Sequence, residues 1–199
     1  MNEQLKRNRI LIIGIFSLSI IPVLIAWGLY LNRDLLNSST NLGKLVSPPI
    51  PTDRADLEGI DEFSNKNINE LLGRWVIINF ISRDQCAKTC KEAIHKTRQL
   101  RLMLNKDLIR TRRIVIISSD SNPDSFKTIW ENDDRLIRVK ARQQFLNKLS
   151  KIEISPLTEE GTVLLMDPLG NLMMQYEPGF NPYHVVKDLK KLLKVSQIG

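Results

Sequence analysis

Most of the residues that announce a chemistry are scarce in this chain. It holds two cysteines and two histidines among 199 residues, which excludes a miniprotein stapled by several disulfides. Nine glycines and nine prolines are too few for a fibrous or low-complexity chain. No G-x-x-x-x-G-K-[ST], G-x-G-x-x-G, H-E-x-x-H or G-x-S-x-G occurs, so nucleotide-binding, zinc-protease and α/β-hydrolase readings lack their parts. A single long apolar run excludes a polytopic transporter. What remains has ordinary globular proportions, 42% hydrophobic and 26% charged, with a net charge of +7.

The apolar run covers residues 10–31 and carries no charge. At 1.5 Å per residue its 22 positions reach about 30 Å, the hydrocarbon thickness of a bilayer. Lys6, Arg7 and Arg9 precede it, and Trp27 and Tyr30 stand near its far end, a positive-inside flank followed by an interfacial aromatic anchor. A cleaved signal would have a shorter apolar region and a small-residue cleavage site, whereas this run exits as Tyr30-Leu31-Asn32-Arg33. The expectation is a cytoplasmic tail over 1–9, an uncleaved transmembrane helix over 10–31 in an inner (plasma) membrane, and an exported, periplasmic remainder.

Residues 1–31 hold three basic and one acidic side chain, which leaves 26 basic and 21 acidic, a net of +5, for residues 32–199. Many of the cations fall between Lys88 and Arg113. They read as a solvated helix face, or else as a docking patch for anionic lipid or an acidic partner. Nucleic acid is not expected as a partner, because no aromatic platforms interleave the basic residues.

Residues 32–67, with Ser47-Pro48-Pro49 and Pro51, read as a tether, and a domain is expected over 68–199. Residues 75–81 form a β-branched and aromatic run that suits a buried strand. Cys86, Cys90, Ala93, Thr97, Leu100 and Leu104 then recur at spacings of 4, 3, 4, 3 and 4, one face of a helix. Residues 114–117 read as a second buried strand, completing a β–α–β unit. Helical stretches around 124–130 and 141–149 follow, then strands over 162–166 and 172–176 joined by Asp167-Pro168-Leu169-Gly170-Asn171, and a closing amphipathic helix over 182–194 capped by Asn181. The fold class expected is α/β: a thioredoxin-like mixed sheet flanked by helices, preceded by one N-terminal transmembrane helix.

The only two cysteines stand four apart where the first strand hands over to the helix. Residues i and i+4 share one helix face with Cβ atoms roughly 5–6 Å apart, which suits a dithiol, a disulfide or a pair of thiolates on a soft metal. A helix N-terminus favours the thiolate, making Cys86 the nucleophile or first ligand, with Cys90 one turn deeper. The bland alternative is a pair of small buried hydrophobes.

With these residues placed, the chain resembles the SCO/SenC family. The resemblance rests on Leu72-Gly73-Arg74-Trp75-Val76-Ile77-Ile78-Asn79-Phe80, the Cys86/Cys90 pair, the strand into Ser118-Ser119-Asp120, the stretch Val163-Leu164-Leu165-Met166-Asp167-Pro168-Leu169-Gly170 and the closing helix. It implies a membrane-tethered thioredoxin fold that assists cytochrome c oxidase assembly, with an oxidase subunit or its assembly factors, and the lipid bilayer, as partners. It also implies copper held by the two cysteines plus a histidine, and thiol–disulfide exchange on the oxidase copper site.

The departures are specific. Ala87 and Lys91 follow the cysteines where the family has proline, and Glu153 to Gly161, where the family's histidine falls, contains none. His95 lies 140° from Cys90 and 180° from Cys86 around a helix, and His184 opens the last helix. Met166, Met173 and Met174 read as core rather than thioether ligands. A peroxidase would want Thr or Ser where Arg83 stands, three before Cys86. Three functions remain: thiol–disulfide exchange through Cys86 and Cys90, Cu(I) carriage by the two thiolates, or a non-catalytic accessory module.

Overall fold

The computed structural model describes residues 2–32, 41–81, 86–118, 121–153 and 159–196. The chain divides into two compact units, 1–40 and 41–199.

The first unit is one helix, α1 (Asn2–Leu31), with Pro22 inside it. Its segment Glu3–Leu31 is long and apolar enough to cross a membrane. The Ser19 hydroxyl donates to the Ile15 carbonyl at 3.1 Å, so this polar group is satisfied within the helix.

The second unit is built on seven strands: β1 (Lys44–Pro51), β2 (Leu57–Gly59), β3 (Trp75–Ile81), β4 (Thr111–Ile117), β5 (Leu136–Ala141), β6 (Val163–Met166) and β7 (Asn171–Tyr176). Their order in the sheet is β1-β7-β6-β3-β4-β5-β2. The central pairs β3–β4 and β4–β5 are parallel, and the remaining pairs are antiparallel. The helices are α2 (Glu62–Asn67), α3 (Lys88–Met103), α4 (Lys127–Trp130), α5 (Gln143–Leu149) and α6 (Pro182–Val195). The β3–α3–β4 unit and the β6–β7 hairpin stand where the sequence puts them.

Three corrections apply. The stretch read as a tether is largely part of the domain: β1 and β2 form the two edges of the sheet, β1 on β7 and β2 on β5. Its three prolines are tolerated because an edge strand leaves one side of its backbone without a ladder partner. The basic run is not one solvated helix face, since α3 ends at Met103 and Arg112 and Arg113 lie on β4. β5, whose alternation of buried and half-buried residues in Leu-Ile-Arg-Val-Lys-Ala marks a strand, falls in a stretch the sequence reading leaves without one.

Because successive strand residues face opposite sides, β3 supplies both cores. Val76, Ile78 and Phe80 pack with Ile114, Ile116, Phe145 and Leu149 on one side. On the other side, Trp75 and Ile77 join Ala93, Leu100, Val185, Leu189 and Leu193 beneath α3 and α6. Ile81 and both cysteines belong to a third cluster with Ile94, Val115, Ile117, Phe126 and Trp130. Met166 and Met174 are buried, as expected for core residues.

Candidate functional site

Cys86 and Cys90 form a disulfide with Cα atoms 5.3 Å apart, at the junction that follows β3. Cys86 precedes the helix, Ala87 occupies the N-cap and Cys90 lies in the first turn. Both are buried, Cys86 at 6% exposure and Cys90 at 1%, so the bond closes the end of the third apolar cluster. The Cys90 sulfur lies 3.9 Å from the Phe80 carbonyl oxygen. In the disulfide that sulfur has no proton to donate. Once reduced, a Cys90 thiol can donate to that oxygen.

Ala87 offers no side-chain cap. A carboxylate from elsewhere takes that role: the Ala87 N–H donates to Glu160 Oε2 at 3.3 Å. The placement depends on Gly161, whose φ is +91° and whose added Cβ would stand 3.0 Å from the Thr89 carbonyl oxygen. Only glycine meets both the left-handed backbone and that close approach at low cost. Glu160 therefore sits at the positive end of α3, beside the residue that follows Cys86. Lys88 is exposed on the surface, with its amine 3.9 Å from Glu92.

A polar layer lies between the disulfide cluster and the core beneath α3 and α6. Arg113, 1% exposed, pairs with Asp133 at 2.8 Å and donates to the Ile94 carbonyl at 3.0 Å and to Thr97 Oγ1 at 3.2 Å. Asn79, in the middle of β3, donates to Thr97 Oγ1 at 3.1 Å. Burial lowers the Arg113 pKa from its ordinary value, and Asp133 opposes that shift. Carbonyl, hydroxyl and carboxylate together leave the guanidinium well satisfied, as a buried charge requires. The sequence reading missed this layer. Its signals were a lone Asn inside an apolar strand and an Arg on the inward register of β4.

The donor set for copper is narrow. Two sulfur ligands suit Cu(I), which accepts soft thiolates. No group of three or more His, Cys, Asp or Glu side chains able to hold a metal occurs among the described residues. His95 is exposed and borders a cavity with Lys91, Arg98 and Asp133. His184 is exposed and borders another with Leu42, Tyr176 and Asn181. Once reduced, the cysteine pair would offer two soft donors to a monovalent copper ion, with no third His, Cys, Asp or Glu ligand grouped with it among the described residues. Arg83 and residues 154–158 lie outside the described residues.

A mixed sheet with a dithiol pair at the strand-to-helix junction defines a thioredoxin-like protein. The chain belongs to the family described as transmembrane-like, thioredoxin-like, C-terminal domain, whose pattern matches residues 75–196. Among solved structures its fold is similar to apo Sco1 from Thermus thermophilus, with 16% identity, a TM-score of 0.57, and coverage of 78% of this chain and 99% of that one. It is also similar to yeast Sco1 with copper bound, at 17% identity and a TM-score of 0.52, covering 80% of this chain and 96% of the other. No curated protein sequence matches it.

Proposed function

We propose that the protein is a membrane-anchored thiol–disulfide exchange factor of Sco type, exported from the cytoplasm, acting on a partner's copper-site cysteines during cytochrome c oxidase assembly. The observation that carries this reading is the Cys86–Cys90 disulfide at the start of α3, with no metal-holding group of His, Cys, Asp or Glu around it among the described residues.

In the reducing direction the Cys86 thiolate attacks one sulfur of a partner disulfide, and the partner's other sulfur leaves as a thiolate. Cys90, deprotonated, then attacks Cys86 Sγ, which forms the intramolecular disulfide and frees the partner's second sulfur. Two electrons pass to the partner, and an external dithiol returns the chain to its reduced form. The Phe80 carbonyl can accept from a Cys90 thiol until that second step, and Glu160 keeps a negative charge beside the residue that follows Cys86.

Replacing both cysteines with serine in the native host tests the reading through the spectrum and activity of the cytochrome c oxidase. Loss of assembled oxidase is expected. A normal oxidase would leave the fold as an accessory interaction module.

A second reading, a Cu(I) carrier, is supported by the copper-bound yeast structure of the same fold and by the two soft donors. In it copper is cargo and nothing is turned over. Titrating the reduced protein with Cu(I) against a competing chelator separates the two. One ion held tightly by the native chain and lost from the double serine variant supports carriage, whereas equal binding by both removes it.

A further inference from the structure

The outer face of α6 carries charge of one sign. Lys187, Lys190 and Lys194 are exposed and lie within about 60° of arc on the helix. None of the three makes an ion pair among the described residues. Tyr183, 67% exposed, continues the same face toward the helix N-terminus. The one acidic residue of α6, Asp188, turns inward and is 1% exposed. The opposite side, through Val185, Val186, Leu189 and Leu193, is committed to the core.

A second feature ties this face to the chain's anchor. Asp188 Oδ2 accepts the backbone N–H groups of Leu42 and Gly43, both at 2.8 Å. Gly43 packs so closely on Tyr176 that an added Cβ would stand 2.5 Å from its ring. The polypeptide therefore enters the domain against α6 itself. Only residues 32–41 separate the end of the apolar helix from this clamp, a reach of at most roughly 35 Å when fully extended. Over so short a connection, a helix face of matching charge meets the membrane surface at high effective concentration.

We propose that the Lys187/Lys190/Lys194 face of α6 docks on the anionic phospholipid headgroups of the bilayer that the chain's own N-terminal helix crosses. Clustered lysines near a membrane attract acidic headgroups, and Tyr183 supplies the amphipathic ring suited to that interface. Docking would confine the domain in rotation without any contact to its redox partner. It does not depend on the thiol reading.

The test uses the full chain in lipid nanodiscs, one set of phosphatidylcholine alone and one with about a third phosphatidylglycerol. The acetylation rates of individual lysines by an amine-reactive probe are then read by mass spectrometry. In the anionic discs Lys187, Lys190 and Lys194 should react roughly threefold slower or more, and the protection should vanish when salt shrinks the screening length. Lys66, exposed on α2, should react alike in both sets. Equal rates at the three lysines in both discs would overturn the proposal. So would protection produced only by added polyglutamate, which would assign the face to an acidic protein.

Discussion

α3 joins two regions of opposite character. Its middle is saturated: Thr97 and the Ile94 carbonyl serve Arg113, Asp133 closes the ion pair, and Asn79 completes the layer. Its N-terminal end is lightly held, with a single 3.3 Å bond from a half-buried glutamate and a disulfide over an apolar cluster. A region whose every donor and acceptor is used has one arrangement. The end that the proposed exchange would open and close has few partners to lose. One helix is thus held by several polar partners at its middle and by few at the end that carries the cysteines.

The comparison breaks hardest at Arg113. Replacing Arg113 with Met strands Asp133 in the interior and should cost about 3–5 kcal/mol, measured by denaturant unfolding. The double replacement Arg113→Met/Asp133→Leu should recover most of that loss, because the uncompensated charge is then gone. If the single variant unfolds like the native chain, the layer is not the rigid half of the comparison.

At the other end, loss of the bridge in Cys86→Ser/Cys90→Ser should lower stability by about 2 kcal/mol, since the bridged loop is short. Exchange activity should nevertheless disappear. A large stability loss with activity retained would reverse the assignment of the two regions.

The clamp at Asp188 gives a pH-dependent effect of intermediate size. Tyr176 donates to Asp188 Oδ2 at 3.2 Å, and burial, then the nearby Asp188 charge, raise its pKa well above the ordinary tyrosine value. A group raised in the folded state contributes fully below the unfolded pKa of about 10 and loses that contribution as pH climbs above it. Stability should therefore fall above pH 10 or so, and Tyr176→Phe should flatten the alkaline limb of a thermal-melt series. An unchanged alkaline limb in that variant would place the titration elsewhere.

The smallest effect sharpens the comparison rather than breaking it. Glu160→Gln keeps an acceptor for the Ala87 N–H and removes a negative charge beside the residue that follows Cys86. The thiolate is then less opposed and the reduced form is favoured, so the reduction potential should rise by roughly 10–30 mV against glutathione. A fall in potential would contradict the role given to Glu160.

Much of this was legible in the sequence, for physical reasons. The run of residues 75–81, the 4-3-4-3-4 spacing and the Asp167–Asn171 turn each obey a short-range rule, so β3, α3 and the β6–β7 hairpin could be placed. β1 and β2 could not, because their strand character depends on sheet edges supplied by residues about a hundred positions away. The cysteine pair was visible from its spacing alone. Glu160 was not, since nothing local connects it to a helix seventy-three residues earlier. Arg113 was mistaken for one more surface cation because a count of charges ignores which side of a strand each occupies.

The central claim is that Cys86 attacks and Cys90 resolves. It is tested most directly by incubating the reduced Cys90→Ser chain, beside a reduced Cys86→Ser chain, with the oxidised copper-binding domain of a cytochrome c oxidase subunit, and resolving the products on a non-reducing gel. A covalent adduct through Cys86, absent from the Cys86→Ser chain and released by dithiothreitol, is the predicted result. No adduct from either variant, or an adduct formed through Cys90 alone, would contradict it.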